Sequence, residues 1–470
     1  MKITDIRNSG RSMAVKVAKR DVSARYYLRR DGTPTQDVQI EPYSFPSDVF
    51  GIIATYDRHD YVIASIIDFC NSSRAPRNYY IPLDLEFTEI TADDPLYQKW
   101  VTYQTQHLEI MLPHDFSIGS DPEIFVEDKD GTHIPAFLFL GSKEAPDRTP
   151  SWGGYDNNGG CTMYWDGFQA EFTTKAGGCL EYHTDSVAAG LRGVYDAARQ
   201  KFPNARLSLK SVVDIPHSML EEAEDQYVAF GCMPSFNAYG IRVNMPPARE
   251  VPFRSAGGHI HFGIGKLTQE QATPIVKALD AILGVACVSL FANYDSRKRR
   301  HLYGLPGEYR LPPHGLEYRP LSNAWLCHPF IMNLVIDVAR KVLVLGQKGL
   351  LNLWQGNEEE TIDIMIRSDV EGARESLKRN KEIFIKILES CYVIYNRWAT
   401  PQDLEMFYGI FLNGLETAIA DPSNFVKNWY LNGTSRDNYD DNGRAWRKQA
   451  SGLHANVKRS MDTLRDGKKL

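Results

Sequence analysis

Three pairs of polar residues stand two positions apart in β-like runs: Asp121 with Glu123, His259 with His261, and Glu317 with Arg319. Residues i and i+2 of a strand share a face, so each pair presents two polar groups to one side of a sheet. Together they offer three carboxylates, two imidazoles and a guanidinium, a set that is expensive to bury without cations or anions to neutralise it. The run GGHIHFGIG adds Gly257, Gly258, Gly263 and Gly265, which leave room for a ligand to approach the backbone or mark bulges. Pro122, between the first two carboxylates, removes a ladder donor and predicts a strand at an edge, a start or a bulge. WDGFQAEFTT contributes Asp166 and Glu171, with Gln169 and Glu171 on one strand face. Oxygen-rich sets suit hard divalent cations, and imidazole among them leaves zinc open as well.

The densest segment is RKRRHLYGLPGEYRLPPHGLEYRPLSNAW, residues 297–325. Cations and a carboxylate recur there around glycine turns, as a polyphosphate and its metal ions require. Arg299, Arg300, Tyr303, Arg310 and Arg319 are therefore the candidate nucleotide contacts. Neither a Walker A sequence nor GxGxxG is present, so an ATP site here must work through arginine and metal rather than a helix N-terminus.

The elements that must position these residues begin late. Up to about residue 113 the chain alternates short β-rich runs, Met13–Ala18, Ala24–Leu28 and Asp37–Ile40, with a turn at Arg30–Pro34 and a helix expected over Asp60–Cys70. From Phe116 a strand, turn, strand pattern places Asp130 and Gly131 in a hairpin. Gly-rich connections follow at Gly153–Gly160 and at Gly177 and Gly178, then an amphipathic helix with Thr184 or Asp185 as its N-cap. Beyond Leu321 the β signals fade, and Asn333–Leu345, Ser376–Tyr395 and Pro401–Ala420 show helical spacing. This predicts an α+β chain in three parts: a β-rich region over 1–113, a core over 114–330, and a mostly helical region over 331–470.

Composition agrees with a globular protein: 470 residues, 43% hydrophobic, 24% charged and 11% aromatic, which excludes disordered, collagenous and low-complexity classes. The net charge of −6 hides a net +7 over residues 1–30 and +5 over 441–470, leaving −18 between them. An acidic middle suits collection of cations, and nucleic acid is not required by this balance. Seven scattered cysteines without a CxxC pair argue against a disulfide framework or a thiolate zinc site. The start lacks an apolar h-region, and the longest uncharged apolar stretch, Ala281–Ala292, falls short of the roughly 20 residues that span a bilayer. A cytoplasmic location without membrane partners is expected.

The order GSDPEIFV, DGFQAEFTT, GGHIHFG and GLEYRPLSNAW, after an Arg-rich turn, resembles the COOH-NH2 ligases of the glutamine synthetase and glutamate-cysteine ligase superfamily, most closely the phage phiEco32-like type 2 group. The resemblance covers about residues 114–330. It implies a curved antiparallel sheet whose concave face holds ATP and two or three Mg2+ or Mn2+ ions. By analogy Asp121, Glu123, Glu171, His259 and Glu317 are metal ligands, Arg310 and Arg319 hold the transferring phosphate, and His261 lies in the catalytic set. Related ligases often carry Glu where this chain has Asp121. If the protein is phage-encoded, the cytoplasm is that of a bacterial host.

The resemblance implies phosphoryl transfer from ATP to a carboxylate substrate, then attack by an amine substrate to give an amide, with free, peptide-borne and protein-borne substrates all open. Two rivals stay open on the residues alone. One is a zinc hydrolase built on His259, His261 and Asp121; the other is an inactive virion or scaffold protein that keeps the fold. Oligomeric state and the identity of acid and amine are open.

Overall fold

The computed structural model describes residues 13–17, 21–23, 42–44, 49–58, 61–68, 77–80, 88–89, 93, 117–149, 161–177, 180–230, 235–347, 353–389, 400–429, 431 and 453–470. The expected runs Ala24–Leu28 and Asp37–Ile40, the turn Arg30–Pro34 and the connection Gly153–Gly160 lie outside the described residues. The chain divides into two compact units, residues 1–117 with 263–266, and residues 118–262 with 267–470.

In the first unit, five strands form one sheet in the order Arg77–Tyr80, Tyr61–Asp68, Val49–Arg58, Met13–Val17, Thr88–Glu89, every neighbour antiparallel. The run from Asp60 to Cys70, expected as a helix, is instead a strand over Tyr61–Asp68, paired along its whole length with Val49–Arg58. Val62, Ile63, Ile66 and Ile67 are β-branched, and these pack better on a pleated surface than in a helical turn.

The second unit is built on an open ten-stranded sheet. Its main strands are β1 (Ser117–Glu127), β2 (Thr162–Asp166), β3 (Gln169–Thr173), β4 (Gly258–Gly263), β5 (Glu308–Arg310) and β6 (Gly315–Tyr318). The order runs Asp147–Arg148, β2, β3, β1, β4, β6, β5, Phe236–Asn237, and two short strands, His133–Ile134 and Arg206–Ser208, also pair with β1. The pairs β2/β3, β3/β1 and β5/β6 are antiparallel. The hairpin expected at Asp130 and Gly131 is present, with Gly131 at φ 83° and the Asp128 amide bonded to the Thr132 carbonyl.

Pro122 does not mark an edge. β1 lies inside the sheet, with β3 on one side and β4 on the other. On either side of the proline the strand stays tied to its neighbour: the Ser120 amide donates to Thr174 Oγ1 at 2.7 Å, the Thr174 amide donates to the Ser120 carbonyl at 2.8 Å, and Glu123 stands in register opposite Glu171.

Strand alternation separates two faces. Ile124, Ala170, Phe172, Ile260, Phe262, Leu316 and Tyr318 are buried on one, and full burial of a large side chain contributes about 1.5–3 kcal/mol. Helix α1 (Leu180–Lys201) starts four residues before the expected cap; Thr184 sits inside it, its hydroxyl bonded to the Leu180 carbonyl and to Asn333 Oδ1. Helix α2 (Gln269–Leu290) is apolar enough to cross a membrane by length and composition, yet 83% of its most apolar window is buried in the protein, as in a core helix. A π-helical turn interrupts it at Leu279–Gly284, and Asp280 there accepts from Tyr318 Oη at 2.7 Å and from the Gly307 amide at 2.6 Å. Burial raises the Asp280 carboxyl to about 7.

Helix α3 (Pro329–Gln347) matches the helical spacing expected from Asn333. The segment expected as one helix from Ser376 breaks at Asn380 between Val370–Arg379 and Lys381–Glu389, because the Asn380 amide bonds to the Gln355 and Ser376 carbonyls. The helix from Pro401 ends at Asn413, before Gly414 at φ 99°.

Candidate functional site

The polar face of the sheet gathers the singled-out residues because period-2 alternation puts them there from four strands. β1 supplies Asp121 and Glu123, β3 supplies Glu171, β4 supplies His259 and His261, and β6 supplies Glu317, with Arg319 one residue past its end. Two groups of ligand atoms result, each with its members within 4.8 Å of one another: Asp121, His261 and Glu317, and Glu123, Asp166 and Glu171. His259 joins the first, its Nδ1 3.9 Å from Asp121 Oδ1 and 3.7 Å from Glu317 Oε1.

The second group is crowded. Glu123, opposite Glu171 in the register, is raised to about 7 by burial first and by the Asp166 charge next. Glu171 is pushed well above the carboxylate range by burial and by Asp121, Asp166 and Glu123, and Asp166 is raised mainly by burial. Three carboxyl groups driven toward their protonated forms by each other and by a dry setting are what a divalent cation relieves. The donors therefore fit hard cations. Asp166 enters because the β2–β3 hairpin sets it opposite Gln169, beside the end of β1.

Cations frame the other side. Arg319, buried, forms an ion pair with Glu317, and Arg310, opposite Glu317 in the register, is 3.7 Å from the same oxygen and keeps 29% exposure. Burial and the Arg319 charge hold His259 well below its ordinary value. Burial also pulls at His261, yet its 2.8 Å hydrogen bond to Asp121 and that residue's charge raise it on balance. His261 Nδ1 lies 3.1 Å from Nε2 of the exposed His314, in the turn between β5 and β6.

A cavity of about 30 Å3, room for a water or an ion, lies among Glu123, Asp166, His259, Arg299, Tyr303 and Arg319. Arg299 and Tyr303 thus reach the centre as lining residues. The Arg299 guanidinium is nonetheless spent on the backbone, donating to the Pro320 and Leu321 carbonyls at 2.8 and 2.7 Å. Arg300 is not among the cavity walls; it pairs with Asp295 at 2.7 Å and with the Gly304 and Pro320 carbonyls. These two buried arginines hold a 3-10 turn in place, a use their run of four basic residues does not disclose. A wider groove of about 870 Å3, lined in part by Glu127, Arg206, Lys210 and Asp421, contains none of the candidate residues.

Gly257 lines the small cavity, and the glycines of GGHIHFG also leave room for neighbouring side chains. A Cβ on Gly258 would stand 2.2 Å from the Trp325 indole nitrogen, and one on Gly257 would stand 2.5 Å from the His259 ring. The Gly257 amide donates to Glu123 Oε2 at 2.8 Å, which fixes that carboxylate. The sequence singled out Asp166, but local patterns did not signal Tyr164, whose hydroxyl donates to Glu171 Oε1 at 2.7 Å, or His314. Cross-strand register links both to the site, and that is a long-range property.

No curated protein matches the sequence. Among solved structures, that of a bifunctional glutathione synthetase from Pasteurella multocida is similar at a TM-score of 0.37 and 11% identity, over 79% of this chain. The chain spans about half, 53%, of that protein's length. Residues 247–408, which carry β4, β5, β6 and the Arg-rich turn, match the model of the family described as phage phiEco32-like COOH.NH2 ligase, type 2, the group that the order of motifs resembles.

Proposed function

We propose that the protein is an ATP-dependent carboxylate–amine ligase that forms an amide through an acyl phosphate. The observation that carries this reading is the meeting of Glu123, Asp166 and Glu171 with Asp121, His259, Glu317 and the two arginines on one sheet face, within a chain that matches a COOH-NH2 ligase family. In this reading the sheet is of the glutamine synthetase kind, residues 114–330 form the catalytic core and 331–470 complete it.

A carboxylate is a poor electrophile. An oxygen of the substrate carboxylate attacks the γ-phosphorus of ATP, the bond to the ADP oxygen breaks, and the acyl phosphate forms. The amine then attacks the acyl carbon, the C–O bond to phosphate breaks, and the amine's proton leaves. Divalent ions at the two carboxylate groups, when bound, supply positive charge against the phosphates. Arg310 and Arg319 supply further positive charge there, in a planar fork that matches phosphate oxygens. The small cavity has room for a water or an ion, so in this reading the triphosphate approaches from the half-exposed side where Arg310 and His261 stand. His261, between Asp121 and His314, is the group we assign to carry the amine's proton outward.

The test is release of ADP from ATP and Mg2+, with and without a panel of carboxylates and amines, followed by transfer of 18O from labelled carboxylate to phosphate. Label in the phosphate supports the acyl phosphate. Cleavage of the corresponding amides without ATP points to the hydrolase, and silence in both assays to the scaffold.

A further inference from the structure

We propose that Lys143 is a further binding residue of this centre, one whose ammonium takes an oxygen of the incoming polyphosphate. The inference rests on the reading that the centre takes a metal–ATP complex. Lys143 belongs to the connection that precedes Asp147–Arg148, and this connection is fastened rather than loose. The Trp165 amide donates to the Gly141 carbonyl at 3.0 Å, the Gly141 amide donates to Asp147 Oδ2 at 2.8 Å, and Asp147 pairs in register with Met163 of β2. A Cβ on Gly141 would stand 2.4 Å from the Ala145 carbonyl, so the turn is tight.

From that turn the exposed Lys143 lays its Nζ over the Tyr164 ring, 5.1 Å from the centroid. The hydroxyl of the same ring is bonded to Glu171. The ammonium is the leading opposing charge felt by Asp166 and also acts on Glu171. A lysine is thus held over the ring that bonds Glu171, while Arg319 pairs with Glu317.

Its partner must change when ions bind. Three carboxylates against one ammonium make a negative centre, and two divalent cations reverse that sign. The ammonium then faces cations where it had faced anions, and the anion that arrives with them, a triphosphate, becomes its counter-charge. A flexible stem and a compact, rotatable charge on an exposed residue allow that exchange. A lysine present only to offset the carboxylates would behave in the opposite way, because removing it would favour the ions.

The experiment uses the full chain as wild type, Lys143→Met and Lys143→Arg, with melting curves to establish that each is folded. Affinity is measured calorimetrically for two probes, Mn2+ alone and Mn2+ with the non-hydrolysable ATP analogue AMPPNP. We expect Lys143→Met to bind Mn2+ at least as tightly as wild type and Mn2+–AMPPNP about tenfold more weakly, the scale of one charge-assisted hydrogen bond, with Lys143→Arg recovering part of the loss. Equal affinity of wild type and Lys143→Met for Mn2+–AMPPNP overturns the inference alone. Parallel loss of both probes in Lys143→Met also overturns it, by making the lysine a support of the ion site. A wild type that binds Mn2+ but not Mn2+–AMPPNP overturns the inference together with the ligase reading.

Discussion

His261 Nε2 and Asp121 Oδ1 are 2.8 Å apart, on neighbouring strands, and the pair ends at the exposed His314. Asp121 raises His261 above its ordinary 6.5. The stability from this pair is therefore complete below that value and is lost as pH rises through the higher folded value. Asp121→Asn should move the His261 titration downward in the metal-free protein, read by NMR of labelled histidine. An unchanged midpoint would show that another group sets it.

Glu123 gives the opposite slope from the usual carboxylate. Its folded value of about 7 against an ordinary 4.5 means that the folded state holds a proton the unfolded chain releases between those values, so stability falls as pH rises through that window. The metal-free protein should melt higher at about pH 6 than at about pH 8, and Glu123→Gln should flatten the difference. Divalent ions should displace protons on binding, which calorimetry in buffers of different ionisation enthalpy measures. Binding without proton release would contradict the crowded-carboxylate account.

Arg319→Lys keeps the charge and removes the fork. Turnover is expected to fall by about 100-fold, the scale of losing one preorganised donor at a developing charge, while the far-UV spectrum and melting curve stay near those of wild type. Near-normal turnover would assign Arg319 to the support of Glu317 alone.

Tyr318→Phe removes the hydroxyl that donates to Asp280. Leaving that buried carboxyl oxygen without its donor should cost about 1–3 kcal/mol, seen as a lower urea midpoint. A midpoint equal to wild type would mean that the Gly307 amide and the Tyr239 hydroxyl satisfy Asp280 between them.

The polar face of the second unit was legible from sequence because a strand's period is two: Asp121 with Glu123 and His259 with His261 needed no partner strand to be placed on one side. What joins those pairs is the strand order, and order is non-local. Asp166 was visible as a carboxylate of its run but not as a neighbour of Glu123, and Tyr164 and His314 enter the site through the β2–β3 register and the β5–β6 turn, which local pattern does not encode. Tyr61–Asp68 was misread for the related reason that a short apolar run has no decisive period by itself, and the paired strand decides it. Arg299 and Arg300 illustrate a further limit, since an arginine in a basic run looks alike whether its guanidinium faces a phosphate or caps a buried carbonyl.

β6 turns Glu317 and Arg319 toward the carboxylates and Tyr318 toward the interior, where Asp280 holds it from the π-helical turn of α2. The same Asp280 grips the Gly307 amide, in the bend that leads into β5 and Arg310. One carboxyl thus acts as an anvil under both arginine-bearing strands: a ligand that draws Glu317, Arg319 or Arg310 forward loads a hydrogen bond in the apolar layer behind. The two faces of the sheet therefore share one hydrogen-bonded support, and amide exchange along α2 with and without Mn2+ measures whether loading one face is felt on the other.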